Sequence, residues 1–245
     1  MNNEKKYYLG CSGWYYDDWK ERFYPQKLPK SKWLEYYSKK FNTVEVNNTF
    51  YRFPNEKTFK GWYKRTPENF KLTLKVNQTI THRRRFKNTQ STINRFYALS
   101  NLLEDKLGCI LFQIPPNISK NISFLKNALE QLDPSKNNIM EFRHSTWFDD
   151  EIYEILKEFN VSFCSVSSTE LPEQFITTSD IGYIRFHGKG QQKYQYYYSN
   201  EELNKWSRKI KNPHLKNVFC YFNNDYNANA PKNCIKLKEK LEWKF

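Results

Sequence analysis

Apolar and polar residues alternate with a period of two in four separate stretches of the chain. Met140 and Phe142 alternate with Glu141 and Arg143, Leu74 and Val76 with Lys75 and Asn77, Ile184 and Phe186 with Arg185 and His187, and Cys220 and Phe222 with Tyr221 and Asn223. Period two is the repeat of a β-strand, whose successive side chains point to opposite faces. In each stretch one face is apolar while the other ends in charges, amides or imidazole. A solvated face would be polar along its whole length; polar groups gathered at strand ends are the pattern of a ligand site.

The same reading extends to eight strands, at residues 7–14, within 43–53, and at 70–78, 109–114, 138–144, 161–167, 181–187 and 217–223. Helical spacing falls between them, at 31–41 with Ser31 as cap, at 56–65 ending before Pro67, and at 88–107 closed by Gly108 as a left-handed C-terminal cap. Further helices follow at 119–132, stopped by Pro134, and at 149–159, 200–210 and 231–243, whereas 171–175 offers at most a short turn. Eight strands, each followed by a helix or its remnant, predict an α/β TIM-type (β/α)8 barrel with a reduced helix after the sixth strand. Ligand sites in such barrels lie at the C-terminal ends of the strands. An open doubly wound sheet competes, but no glycine-rich phosphate loop follows the first strand. With no linker or repeat in the pattern, residues 1–245 read as a single domain.

Composition adjusts this picture in three ways. Only 38% of the residues are hydrophobic, but 18% are aromatic, so large rings must supply much of the core. The net charge of +14 invites a polyanionic partner. Lysine is far more common than arginine, however, and asparagine abounds, so solvated faces account for the charge more simply than a basic functional surface. The five cysteines, at 11, 109, 164, 220 and 234, show neither C-x-x-C pairs nor metal-finger spacing, and read as small buried side chains in a reducing compartment. With no apolar leader and no run of about 20 apolar residues, the expected location is cytoplasmic, with no membrane partner. Oligomeric state has no signal in the sequence.

The strings GCSGWYYDDW (10–19), FYP (23–25), TVEVNNTFYRFP (43–54), FKLTLKVNQTITH (70–82), LFQIPP (111–116), EFRHSTW (141–147), YIRFHG (183–188) and YFNND (221–225) together resemble the YecE-like family, domain of unknown function 72. The likeness runs in order through nearly the whole chain. It implies a TIM-type barrel and carries no assigned reaction. One departure stands out: the family pattern implies an Asp near the end of the sixth strand, where this chain has Ser167. Glu45, Lys75, Glu141, Arg143, His144, Arg185, His187 and Asn223 fall on matching motif positions.

Glu45, between Val44 and Val46, faces opposite to them and into the barrel, with Asn47 on its own side. A carboxylate there must be paired, hydrogen-bonded, metal-bound or protonated. Glu45 and Glu141 are the candidate catalytic acid and base, with His187 as partner near neutral pH; a salt bridge to Arg143, Arg185 or Lys75 that merely fills the barrel is the plainer alternative. Candidate substrate-binding residues are Lys75, Arg143, His144, Arg185, Asn47, Gln113, Tyr221 and Asn223. Lys75 suits an anion anchor first, then a partner for Glu45, then an amine nucleophile if neighbouring cations depress its pKa. Arg143 and Arg185 offer planar forks for phosphate or carboxylate.

These residues favour an enzyme, a hydrolase, lyase or isomerase, acting on a small anionic substrate. No cofactor is expected, and no metal ligands are assigned: a single divalent ion held by Glu45, Glu141, His187 and Asn223 lacks any H-x-H or H-E-x-x-H spacing. Two alternatives remain open. The loops THRRRFK (81–87) and QQKYQYYY (191–198) interleave basic and aromatic residues, as in nucleic-acid-binding or repair-associated proteins, and a binding module without turnover fits the same site.

Overall fold

The computed structural model describes residues 6–190, 193–211 and 214–242. Eight parallel strands, β1 (Lys6–Cys11), β2 (Thr43–Val46), β3 (Lys71–Lys75), β4 (Leu107–Ile114), β5 (Asn138–Phe142), β6 (Ser162–Ser168), β7 (Ile181–Gly188) and β8 (Asn217–Phe222), pair in the order β1-β8-β7-β6-β5-β4-β3-β2. The helices are α1 (Trp33–Ser38), α2 (Asn48–Tyr51), α3 (Glu56–Arg65), α4 (Gln90–Ser100), α5 (Ile122–Leu129), α6 (Asp150–Glu158), α7 (Asn200–Ile210) and α8 (Asn229–Glu242). This is the expected TIM-type barrel, nearly closed.

The strand alternation sorts the interior from the helix layer. Val44, Val46, Leu72, Leu74, Ile110, Phe112, Met140, Phe142, Ile184, Phe186, Val218 and Phe222 join one large core under the helices. Cys109, Leu111, Ile139, Cys164, Val166, Tyr183, Phe219 and Tyr221, from the opposite parity, form a second apolar cluster inside the barrel. All five cysteines are buried and none is in a disulfide.

Closure of the ring between β1 and β2 uses side chains in place of a peptide ladder among the described residues. Asn42 accepts from the Leu9 amide at 2.9 Å and donates to the Tyr7 carbonyl at 2.8 Å. The Tyr37 hydroxyl accepts from the Cys11 amide at 2.6 Å and donates to the Thr43 carbonyl at 3.1 Å. Gly10 permits this approach, since a Cβ there would lie 2.1 Å from the Thr43 carbonyl oxygen.

Local expectations fail where a long-range contact overrides a local signal. Ser31 does not cap α1, which follows a single 3-10 turn over Lys30–Lys32. The helix expected over 88–107 ends at Ser100, a 3-10 segment continues over Asn101–Lys106, and the left-handed residue is Glu104. Gly108 lies within β4, where a Cβ would press on the Thr73 hydroxyl. No helix forms over 171–175, in keeping with the reduced helix expected after the sixth strand. The segment instead runs along the outer face of β6, held by Thr178 to the Phe163 amide and by Ser165 to the Ile176 amide. Ser167 also points outward, where its hydroxyl donates to Glu173 at 2.8 Å.

Candidate functional site

Inside the barrel the polar groups form two tiers, reached in part by the hydroxyls of Tyr183 and Tyr221 from the apolar cluster. In the lower tier the Tyr221 hydroxyl lies 2.7 Å from both the Thr43 and Thr73 hydroxyls. Tyr221, a candidate substrate contact from its parity, is fully buried in this chain of hydroxyls and does not line the mouth.

The upper tier is built around Arg185. Its Nη2 donates to Glu45 at 2.7 Å and its Nη1 to Glu141 at 2.6 Å. The Tyr183 hydroxyl donates to the other Glu45 oxygen at 2.6 Å. Glu141 accepts in addition from Gln113 at 2.7 Å, from His187 at 3.1 Å and from Arg143 at 3.0 Å. Both carboxylates have no exposed surface. A carboxylate so deep must be compensated by charge and hydrogen bonds, and here it is: burial alone would raise the Glu141 carboxyl, but Arg143, Arg185 and His187 outweigh it and hold it well below the usual range.

His187 is equally fixed. A carboxylate only accepts, so Nε2 carries the proton that meets Glu141, and the bare Nδ1 accepts from the Asn223 amide at 3.1 Å. Burial, then Arg143 and Arg185, push its pKa well below the usual histidine value, against the pull of Glu141. His187 is therefore neutral through the physiological range.

Above this tier opens a cleft of about 670 Å³ whose lining includes Lys75, Arg143, Arg185, Gln113, Asn47 and Asn223. Gln113 links the upper tier to the cleft, donating to Glu141 and accepting from Lys75 Nζ at 3.0 Å. The Lys75 amine also lies 4.2 Å from the centre of the Phe50 ring. Burial, followed by the charge of Arg185, lowers its pKa to about 8, although Glu141 and Glu45 oppose the shift. Asn47 donates to the Ser12 carbonyl, while its own carbonyl oxygen and Arg185 Nε are buried without a protein partner.

His144 does not join the site. The strand ends at Phe142, and the His144 ring folds back onto its own turn, with Nδ1 bonded to the Thr146 hydroxyl at 2.9 Å. The cleft is completed by residues that strand periodicity does not select: Tyr16, Phe50, Tyr51, Gln78, His82, Tyr194 and Asp225. All lie in segments that follow strand C-terminal ends, and a systematic reading of those loops was the available signal. His82 is held neutral, its pKa pushed to about 4 by burial and then by Lys75. The Asp225 carboxyl is pushed up by burial and by Asp18.

The rim is divided. Among the described residues Tyr15, Tyr51, Tyr194, Tyr197 and Tyr226 are the exposed large aromatics, and they follow β1, β2, β7 and β8, four strands contiguous in the ring. Arg83, Arg84 and Arg85, all exposed, follow the adjoining β3. Gln191 and Gln192 of the QQKYQYYY loop lie outside the described residues. No helix among the described residues is long and apolar enough to cross a membrane. No group of three His, Cys, Asp or Glu side chains among them is arranged to hold a metal ion.

Residues 8–245 match the family described as Protein of unknown function DUF72. The UPF0759 protein YunF of Bacillus subtilis (strain 168) is 27% identical over 273 residues, spanning 97% of this chain and 95% of that protein. The UPF0759 protein YecE of Escherichia coli (strain K12) is 27% identical over 116 residues, 47% of this chain and 43% of its own. Among solved structures, a DUF72 family protein from Thermotoga maritima MSB8 superposes with a TM-score of 0.88 at 30% identity, covering 97% of this chain and 100% of that one. A DUF72 family protein from Enterococcus faecalis V583 gives 0.85 at 19% identity, covering 98% and 96%, and shares the fold.

Proposed function

The chain belongs to the DUF72 family, and from the geometry of its barrel mouth we propose that it is an enzyme acting on a small or medium-sized anionic substrate, bearing phosphate or carboxylate. The observation that supports this reading is the arrangement of charge. Lys75, Arg143 and Arg185 all line one cleft, while Glu45 and Glu141 are turned beneath it and engaged with the protein. Asp225 is the carboxylate on the wall of the cleft, and its burial disfavours the ionised form. Arg185 Nε–H is buried with no protein acceptor, so an anion seated deeply enough to reach it would supply the missing partner.

In this reading Glu45, Glu141 and His187 take a supporting part, orienting the guanidinium groups and Gln113. Arg143→Met is the test. Glu141 keeps Arg185, Gln113 and His187 in this variant, so the barrel should fold. Loss of a charge-assisted bond worth roughly 1.5–3 kcal/mol weakens binding by about one to two orders of magnitude. Thermal unfolding with inorganic phosphate and small carboxylates reads the affinity, and an unchanged affinity in the folded variant rejects the reading.

The divided rim favours a second reading, a single-stranded nucleic acid laid across the mouth with bases stacked on the tyrosines and phosphates on Arg83, Arg84 and Arg85. Salt separates the two, because polyanion binding falls steeply with ionic strength and a small ligand in the cleft responds much less.

A further inference from the structure

Lys75 is the one cation of the cleft that is also a nucleophile, and the barrel treats it unlike the two arginines. Each arginine is engaged by a carboxylate, Arg143 by Glu141 and Arg185 by both Glu45 and Glu141. The Lys75 amine rests on the neutral Gln113 carbonyl and against the Phe50 ring. The carboxylates that would hold it charged are already occupied at Arg185, Tyr183, His187 and Arg143. An amine placed among cations, partly desolvated and open to a cleft, is the arrangement that makes lysine a nucleophile.

We propose that Lys75 is a covalent catalytic residue, condensing with the carbonyl of an anionic aldehyde or keto acid to form an imine while Arg143 and Arg185 hold the anionic group. The free amine attacks the carbonyl carbon, and one of its protons passes through solvent to the oxygen to give a carbinolamine. Nitrogen then loses its second proton as the hydroxyl leaves, protonated from the solvent of the open cleft, so the balance is amine plus carbonyl to imine plus water. The groups acting on the amine come from several elements: Arg185 on β7 and Arg143 after β5 disfavour its charged form, Glu141 on β5 and Glu45 on β2 favour it, and His82 after β3 is neutral. At pH 8 about half of this amine is free, against under about 1% of an ordinary lysine.

This assignment rests on the anion-binding reading above, and one experiment distinguishes failure of either. The full chain is incubated at pH 8 with glyceraldehyde 3-phosphate or with uncharged glyceraldehyde, reduced with borohydride, and mapped by peptide mass spectrometry. The expected result is a reduced adduct on Lys75 at least about tenfold above the other lysines, greater with the phosphorylated aldehyde and suppressed by inorganic phosphate. Its yield should reach half-maximum near pH 8. Labelling of Lys75 no greater than that of surface lysines overturns the imine, and anion binding then stands if phosphate still raises the unfolding temperature. Equal, strong labelling by both aldehydes keeps the imine and overturns the anion cradle. Lys75→Arg, shown to be folded by its thermal transition, should lose the dominant adduct; an unchanged adduct map overturns the proposal.

Discussion

Arg185 and Glu141 meet at 2.6 Å in the barrel interior, and the same guanidinium reaches Glu45 at 2.7 Å through its other terminal nitrogen. Removing the cation leaves a fully buried Glu45 with only the Tyr183 hydroxyl. Arg185→Met is therefore expected to lose roughly 3–5 kcal/mol of stability, and the triple variant with Glu45→Gln and Glu141→Gln should recover part of it by neutralising the stranded carboxylates. Urea denaturation measures both. A wild-type midpoint in the single variant would show that the triad does not carry the interior.

Tyr37→Phe deletes the hydroxyl that satisfies both the Cys11 amide and the Thr43 carbonyl. Leaving two buried backbone groups unpaired should cost about 1–3 kcal/mol each, with faster amide exchange concentrated at Cys11. Gly10→Ala is expected to be far worse, because the added carbon meets backbone that has no rotamer to move into. Exchange unchanged at Cys11 would contradict this account of the seam.

Acid should destabilise the protein before its carboxylates titrate. The folded pKa of His82 is about 4 and that of His187 is well below 6.5, both depressed, so the unfolded chain takes up protons that the folded one refuses. Their contribution is complete above about pH 6.5 and is lost as pH falls toward the folded values. For half-buried His82 the effect is discounted by solvent. His82→Gln should flatten the stability profile between pH 6.5 and 4 relative to wild type, and parallel profiles in a denaturation series would refute the assignment.

Thiol titration in denaturant without reductant should count five, since none of the five cysteines is in a disulfide. In the folded protein the reaction should be slow, because burial raises the thiols of Cys109, Cys164 and Cys234. Recovery of three thiols or one would reveal disulfides.

Period-two alternation was sufficient to place Glu45, Lys75, Glu141, Arg143, Arg185, His187 and Asn223 at one end of the barrel, because each sits on or just past a strand with a strongly apolar opposite face. It misplaced Tyr221, and His144, offered by its motif position and not by parity, stays outside the site for a different reason. Parity says which face a residue occupies but not its depth, and Tyr221 is one tier too low. His144 lies beyond the last paired residue, where alternation has ceased to hold. Gly108 shows the same limit: a glycine after an amphipathic run reads as a helix cap, yet its constraint comes from Thr73 on a neighbouring strand. Asp225, Tyr16 and Tyr51 were invisible to periodicity because loops have none.

The side-chain seam also makes β1 a separable part. Its six residues pair in full register with β8, from Lys6 against Asn217 to Cys11 against Phe222, whereas its bond to β2 runs through Asn42 and Tyr37. A cut in the connection between β1 and β2, near Pro25, would sever no strand ladder. The two pieces should remain associated as a complemented pair, with the amino-terminal fragment docked on β8. A barrel closed in this way can admit its first strand last, as an insertion into a ring already formed by the other seven.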